Sequence, residues 1–572
     1  MLSIERTLTE RLPWLAQHPH IRRPVAGLLG RLADEAGFNR ALAELEGLCG
    51  FEFVERSLTQ QRVNCRLTPR ELEHIPVDGP LLVVANHPLG MVDALTLLHV
   101  IGRVRRDVRM LGNDVLNMVP QLNELLLPVD VFGGGATSRM RSVFRALDAG
   151  MALVMFPAGE VSRMRPAGVR DGRWFDGFAR IAMHTGAPVL PVHIGARNST
   201  AFYGMSMLAK PLATAMLPRE AVAPREKSVR MRVGALIDAD EIRQRSDGDS
   251  RQAARLMRRH VYRLARNRGV IFGGQVPIAH PEPVEAIEAE FAQRGQLLAE
   301  VARNQQAWLL PGAAAGDSAV MRELGRLREL TFRRVGEGTG TRCDLDSYDP
   351  YYEHLVLWDA SARRIVGAYR FGHGGRIQAR HGQQGLYSAS LFDYTDELSD
   401  RLTRGLELGR SFIAPAYWRS RALDHLWRGI GLYLKQNPEV RYLFGPVSLS
   451  VSLPLEAREW IVAAHKHYFG VPGLASARRP FQVSALVLDG VRAELAGMDP
   501  AKGLGHLRHH LDALGVTLPV LYRQYVDLVD PDGVQFLDFG EDPEFSGCVD
   551  GMVVLDLEYL KPAKRTRYLG RS

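Results

Sequence analysis

The run Leu81-Leu82-Val83-Val84-Ala85, followed by Asn86-His87-Pro88-Leu89-Gly90-Met91-Val92-Asp93, restricts this chain more than any other stretch. Its apolar residues predict a buried strand; Asn86 and His87 fall where that strand ends, Pro88 and Gly90 mark a turn, and Ala94 to Val100 is helix-like. A His and an Asp are thereby delivered to the carboxyl end of a strand, where open α/β sheets bind ligands. An imidazole steered by a carboxylate is a general base for a hydroxyl, because its pKa lies near neutrality and the carboxylate fixes its tautomer. The two side chains meet only if Pro88 to Gly90 is a loop, since six positions along a continuous helix turn through about 600°. Taken alone, the pair reads first as a structural His at a strand end beside a solvent-facing Asp that the helix dipole favours in a first turn.

Further stretches bring polar groups to the same sheet edge. Val108 to Leu111 reads as a second strand, and Val131 to Thr137, with three successive glycines, as a loop opening a helix over Ser138 to Leu147. Such a turn exposes backbone N–H groups to an anion, with Arg139 nearby, although three glycines are more often only a flexible turn. Ala152 to Phe156 forms another apolar strand that ends in Pro157-Ala158-Gly159-Glu160-Val161-Ser162-Arg163, placing Glu160, Ser162 and Arg163 at the edge. Ala187-Pro188-Val189-Leu190-Pro191-Val192-His193-Ile194 is a proline-containing strand.

These four blocks resemble, in order, those of the glycerol-phosphate and lysophospholipid acyltransferases. The resemblance implies that His87 and Asp93 activate an acceptor hydroxyl against an acyl thioester and that Glu160, Ser162 and Arg163 bind the acceptor head group. Two departures stand out. Five residues separate His87 from Asp93 where that family has four, and Ala158 replaces the usual Glu, with Glu160 two places later; the acceptor is expected to differ from a glycerol phosphate.

At 572 residues the chain is too long for one ordinary core. Glycine and proline accumulate at Gly273 to Pro283, which sets the expected organisation: residues 1–272 as one α/β domain, 273–300 as linker, and 301–572 as a second α/β domain with a strand-rich extension. In the second half, Glu323 to Phe332 reads as a helix, Cys343 to Asp349 as an acidic loop, and His354 to Trp358 with Ile365 to Phe371 as a hairpin. Leu406 to Ile413 is a strand interrupted by Gly409, a place for a bulge or close backbone approach, and Ala422 to Leu434 a helix. The stretches Leu521 to Tyr525, Val534 to Phe539 and Cys548 to Asp556 read as further strands.

The motifs Arg326-Leu327-Arg328, Asp346-Ser347-Tyr348-Asp349, Val366-Gly367-Ala368-Tyr369-Arg370, Leu386-Tyr387-Ser388, Glu407-Leu408-Gly409-Arg410-Ser411 and Leu426-Trp427-Arg428-Gly429-Ile430 resemble the acyl-homoserine-lactone synthases and, more closely, the ornithine N-acyltransferases of the GNAT superfamily. The fold implied is a glycerol-phosphate-acyltransferase-like α/β domain followed by a GNAT-like α/β domain, an arrangement similar to bifunctional ornithine lipid synthases. Attack by an α-amine needs a proton acceptor, for which Glu407 is the candidate, and the amino-acid carboxylate needs an arginine, Arg370 or Arg410. Asp346 and Asp349 complete the set. Asp346 and Asp349 also read as a solvated turn, and Arg370, Glu407 and Arg410 as an internal ion-pair network.

The implied reaction is N-acylation of ornithine with a 3-hydroxyacyl group, then O-acylation of that hydroxyl, with neither metal nor cofactor. Tyr417 to Ala422 lacks the usual pyrophosphate-binding loop of GNAT enzymes, which favours acyl carrier protein over coenzyme A as donor. The excess of 72 basic over 64 acidic residues, +8 in formal charge, suits an acidic carrier or an anionic membrane surface. Nucleic acid, which the charge also suits, is not expected, because zinc-finger spacing and RNA-binding aromatic motifs are lacking. No run of eighteen uncharged apolar residues occurs, so the expected location is the cytoplasm, peripheral to the inner face of the cytoplasmic membrane. Leu12, Trp14, Leu15, Ile21, Val25, Leu28, Leu29 and Leu32, interleaved with arginines, suit an interfacial helix or one that covers the catalytic domain. The rival readings are a phospholipid-remodelling enzyme making a different N-acyl product and a non-catalytic, lytic protein of the membrane surface.

Overall fold

The computed structural model describes residues 3–11, 14, 17–111, 119–127, 136–165, 168–223, 226–266 and 269–570. Contacts divide the chain into two compact units, Met1–His280 and Pro281–Ser572. Leu12, Leu15 and the glycine-rich loop over 131–135 lie outside the described residues, as does the side chain of Arg139. The helix Pro19–Ala33 leaves Ile21 and Leu28 exposed.

The first unit's strands are β1 (Val63–Arg66), β2 (Leu81–Ala85), β3 (Val108–Leu111), β4 (Leu126–Leu127), β5 (Ala152–Met155), β6 (Arg163–Arg165), β7 (Gly168–Arg170), β8 (Val189–Gly195) and β9 (Lys227–Val233). Among the described residues seven of them form one sheet in the order β1-β9-β8-β2-β5-β3-β4, parallel except where β8 meets β9. β6 and β7 form a separate hairpin. β2 lies in the middle, and its side chains alternate between two cores. Leu81, Val83 and Ala85 pack with Leu95, Leu98 and Val192 on one face; Leu82 and Val84 pack with Phe178, Ala182 and Met257 on the other. Burial on both faces explains an unbroken apolar run in place of a polar–apolar alternation.

The second unit contributes β10 (Gln296–Ala302), β11 (Gln305–Leu310), β12 (Glu353–Asp359), β13 (Arg364–His373), β14 (Phe392–Tyr394), β15 (Gly405–Ile413), β16 (Tyr442–Leu449), β17 (Ala475–Ala477), β18 (Val534–Asp542) and β19 (Cys548–Asp556). Its eight-stranded sheet runs β10-β11-β12-β13-β15-β16-β19-β18. All neighbours are antiparallel except β15 and β16, which pair in parallel only over Gly405–Glu407 and Tyr442–Phe444 before separating. Gly445 sits where they part, with φ +148°, and a Cβ there would lie 2.3 Å from the Leu408 carbonyl oxygen. Glycine is what lets the two backbones approach and then diverge.

Two expectations need correcting. The span 273–300 is no linker throughout: it carries the helix Val284–Arg294 and β10, because Ile287 and Phe291, one turn apart, bury into the second unit, with Phe291 stacked on Trp308 at 5.2 Å. The stretch Leu521 to Tyr525 lies in a helix, Val520–Leu528, whose Tyr522, Tyr525 and Leu528 are buried at a spacing of three. That is a helical period, which the aromatic content of the stretch had masked. No described helix is long and apolar enough to cross a membrane.

Candidate functional site

β2 ends at Ala85, and the expected loop follows before the helix Met91–Gly102 begins. Gly90 takes φ +84°, a conformation open to glycine, and so turns the chain sharply enough to bring Asp93 back to His87. His87 Nδ1 lies 3.1 Å from Asp93 Oδ2. The same oxygen accepts the backbone N–H groups of Leu89 (2.7 Å) and Gly90 (3.1 Å), so the carboxylate holds both the turn and the ring. Asp93 is fully buried; burial pushes its carboxyl up, opposed by His87 and those two amides. The ring stacks on Phe156 at 4.0 Å. With Nδ1 facing Asp93, Nε2 is the nitrogen available to take a hydroxyl proton.

The backbone around His87 is fastened on every side. Asn86 exchanges two hydrogen bonds with Ile194, donating from Nδ2 (2.9 Å) and accepting at Oδ1 (2.7 Å), and Asn198 Nδ2 donates to the Pro88 carbonyl at 3.1 Å. Asp171, fully buried, accepts from the His87 amide (3.2 Å), the Ser162 hydroxyl and Trp174 Nε1 (2.8 Å). Ser162 in turn donates its amide to the His87 carbonyl at 2.7 Å. Ser162 is therefore part of a clamp on the histidine turn and not, as expected, a group free to bind an acceptor, because its hydroxyl proton is committed to Asp171.

Arg163 is buried beside it, donating to Thr214 Oγ1 at 2.9 Å with its guanidinium 5.4 Å from the Phe202 ring. Its Nε and Nη1 have no hydrogen-bond partner among the described residues, which leaves charged donors for an anionic group. Glu160, half-buried, lies over Gly172, where an added Cβ would come within 2.9 Å of its Oε1. Asp171 escaped the sequence reading: it stands in Arg170-Asp171-Gly172-Arg173-Trp174, a polar stretch with no period to mark it.

In the second unit the structure gathers all the expected residues. Arg370 Nη1 donates to Asp346 Oδ1 (2.6 Å) and Asp349 Oδ1 (3.3 Å); Arg328 Nη1 reaches the same Asp349 oxygen at 2.9 Å; Arg410 Nη2 donates to Asp346 Oδ2 at 3.2 Å. Arg410 Nε also lies 3.4 Å from Asp344 Oδ2. Burial alone would push the Asp349 carboxyl up, but the charges of Arg328 and Arg370 outweigh it and hold the group well below the usual carboxylate range. The Arg370 guanidinium lies 5.0 Å from the Tyr352 ring and 5.1 Å from that of Tyr387. The arginines thus pair with Asp346 and Asp349, and Asp349 is buried where a solvated turn was the alternative, while Arg370 Nε and Nη2 and Arg410 Nε have no hydrogen-bond partner among the described residues.

Glu407 needs a correction. Its Oε1 accepts the Ser388 amide (2.7 Å) and the Ser388 hydroxyl; its Oε2 accepts the Tyr387 amide (3.1 Å) and the Tyr352 hydroxyl. A buried carboxylate with both oxygens doubly occupied has no lone pair to offer an amine. It pins the Leu386-Tyr387-Ser388 segment against the sheet.

A cavity of about 530 Å³ opens where β15 and β16 separate. It is lined by Leu408, Gly409, Arg410 and Ser411 from one strand and Pro446, Val447 and Ser448 from the other. Of the predicted site residues only Arg410 reaches it, held there at φ +47° with its guanidinium 4.9 Å from the Tyr387 ring. Asp550 and Glu337, which also line it, were not singled out. Asp550 did leave a signal: it is a carboxylate inside Cys548–Asp556, a strand buried at every position.

Comparison with known proteins agrees with this division. A family model described as "Acyltransferase" matches residues 6–269, and one described as "Acetyltransferase (GNAT) domain" matches residues 327–428. The chain is 36% identical over 177 residues to a glycine N(alpha)-acyltransferase of Phocaeicola vulgatus, a match covering 29% of this chain and 54% of the relative. It is 28% identical over 213 residues to a lyso-glycine lipid O-acyltransferase of Bacteroides thetaiotaomicron, covering 37% and 77% of the respective lengths. It is 30% identical over 201 residues to an L-ornithine N(alpha)-acyltransferase of Rhodobacter capsulatus, covering 33% and 76%. The chain spans little more than half the length of the glycine N(alpha)-acyltransferases it matches, 54% and 60%.

Proposed function

We propose, from the premise that this chain belongs to the family of the L-ornithine N(alpha)-acyltransferases, that it is a bifunctional acyltransferase making an aminolipid in two steps. The second unit transfers a 3-hydroxyacyl group from a thioester to the α-amine of ornithine. The first unit then acylates the new lipid's hydroxyl, with His87 Nε2 taking the proton and Asp93 steadying the imidazolium. The observation that carries this reading is the presence, in one chain, of a half-buried His paired with a buried Asp at a sheet's carboxyl edge and of a second sheet whose parallel strands part around a cavity. The first arrangement deprotonates hydroxyls; the second gives an extended acyl-carrying arm two free strand edges to pair with. Arg163, with two uncommitted donor nitrogens, suits the carboxylate of a lyso-lipid, and Arg410 the carboxylate of the amino acid.

The donor in this reading is acyl carrier protein, an acidic partner for a basic chain, and the working surface is the inner face of the membrane. Exposed Ile21, Leu28, Met207 and Leu208 offer apolar contact with lipid. Glycine is the alternative acceptor, favoured by the 36% identity to a glycine N(alpha)-acyltransferase.

Mass spectrometry of lipid extracts from a host with and without the gene tests the reading. A new phosphorus-free lipid with ornithine as head group supports it, a glycine head group reassigns the acceptor, and changes confined to phospholipid acyl chains replace synthesis by remodelling. An unchanged lipid profile overturns it. With acyl carrier protein as donor, N-acylation should weaken as salt shortens the Debye length from about 10 Å at 0.1 M to about 3 Å at 1 M.

Asp93→Asn keeps the size of the side chain and removes the charge that selects the histidine tautomer. O-acylation by this variant is expected to fall by a factor on the order of 10² to 10⁴. Turnover within a few-fold of the parent, in a variant with the same melting temperature, would remove the pair from the mechanism.

A further inference from the structure

We propose that Asp550, with Glu337 beside it, accepts the proton released by the acceptor's amine during N-acylation, an assignment that rests on the amino-acid acylation reading above. At neutral pH an amino acid carries its α-nitrogen as an ammonium, which has no lone pair for attack. A carboxylate near the thioester must take one proton first. The carboxylate expected to do so is spoken for, since Glu407 accepts four hydrogen bonds, and the other predicted carboxylates of this unit, Asp346 and Asp349, are bound to arginines. Asp550 is different in each respect. It stands on β19 opposite Ser448 of β16, so its side chain enters the cavity in the strand gap. It is 3% exposed, yet its Oδ1 has no hydrogen-bond partner among the described residues. Glu337 comes to the same cavity from the turn after the helix Ala319–Arg334.

The surroundings tune the pair. Burial, followed by the charge of Asp542 and then that of Glu337, pushes the Asp550 carboxyl up to about 7, with Ser448 and Arg410 opposing. Burial pushes Glu337 up to about 7 as well. Asp542 accepts the Tyr387 hydroxyl at 3.1 Å, and burial keeps the neighbouring Tyr387, Tyr522 and Cys548 protonated. A base poised near neutrality is half available at working pH and strong enough to draw on an ammonium. Arg410, on the same wall, holds the acceptor's carboxylate.

The step balances. The Asp550 carboxylate takes one proton from the ammonium, the freed nitrogen attacks the thioester carbonyl carbon, and a C–N bond forms. As the tetrahedral intermediate collapses, the C–S bond breaks, and the departing thiolate takes the second proton from nitrogen and leaves as thiol. The proton on the carboxyl pair passes to solvent.

The test is the pH profile of kcat/KM for the amino acid, measured on the full chain with saturating acyl thioester. The parent protein should lose activity as pH falls through about 7. Asp550→Asn should lower kcat/KM at pH 7 by a factor on the order of 100 and abolish that acid limb. Glu337→Gln, which removes a neighbouring negative charge, should move the limb to lower pH, a change that a merely structural role would not produce. The melting curve reports folding; if Asp550→Asn fails to fold, the shift in Glu337→Gln decides. Parent-like kcat/KM and an unmoved limb in the folded variants overturn the assignment alone. Absence of any amide product from the parent protein overturns the acylation reading and this assignment together.

Discussion

His87→Ala is expected to abolish O-acylation, with a loss on the order of 10³-fold or more, while N-acylation continues. Alanine removes the nitrogen that takes the hydroxyl proton, and leaves Asp93 with the Leu89 and Gly90 amides, which cannot accept one. The residues assigned to N-acylation all lie in Pro281–Ser572, a unit with its own sheet and cores. The singly acylated lipid should therefore accumulate, and a lipid extract would show it as a species lighter by one acyl chain. The turn should survive, because Asp93 still accepts the Leu89 and Gly90 amides and Asp171 still holds the residue-87 amide. Loss of both products from a variant that melts like the parent would count against independent sites.

The two sites were legible to different depths, for physical reasons. The His87–Asp93 pair could be read because everything that brings it together is local: a strand, a proline, a glycine with positive φ and the first turn of a helix. Asp171 could not, since its partners His87 and Tyr262 lie 84 and 91 positions away, and only the folded chain shows that they converge. In the second unit the identity of the charged residues was readable from their motifs, but their states of protonation and occupancy were not. Glu407 and Asp550 are both carboxylates on buried strands, and sequence alone favours Glu407 because it belongs to a recognisable motif. Their environments reverse the preference: Ser388, Tyr352 and Tyr387 saturate one, while the other faces a cavity with an uncommitted oxygen. Hydrogen-bond supply is a property of the fold, and strand periodicity carries no record of it.

Asp349→Asn should be the most damaging single change to the second unit, lowering its stability by about 3–5 kcal/mol. Asp349 Oδ1 serves both Arg328 (2.9 Å) and Arg370 (3.3 Å), and its Oδ2 accepts the Asp346 amide at 2.9 Å. Both guanidinium groups are essentially without solvent, at 0% and 1% exposure, so water cannot replace the lost charge. Asparagine keeps an acceptor oxygen but leaves two buried cations facing a neutral group. His354 is no compensating anion, and burial, with Arg328 adding to it, depresses its pKa to about 4. The pH dependence has a definite sign. The folded-state pKa of Asp349 lies below the unfolded value of about 3.9, so its stabilisation is complete above about pH 4 and is lost only as pH falls towards the folded value. Asp550 acts oppositely: raised to about 7 in the fold, it favours the folded state at low pH and loses that contribution as pH rises from about 4 through 7. Thermal melts of parent and Asp349→Asn proteins at pH 6 to 8 should accordingly differ by a nearly constant amount, whereas the difference between parent and Asp550→Asn should change across the same range. N-acylation should fall with the melting temperature in Asp349→Asn while O-acylation persists. A variant that melts like the parent would mean that Asp344 and Asp346 alone neutralise the buried arginines.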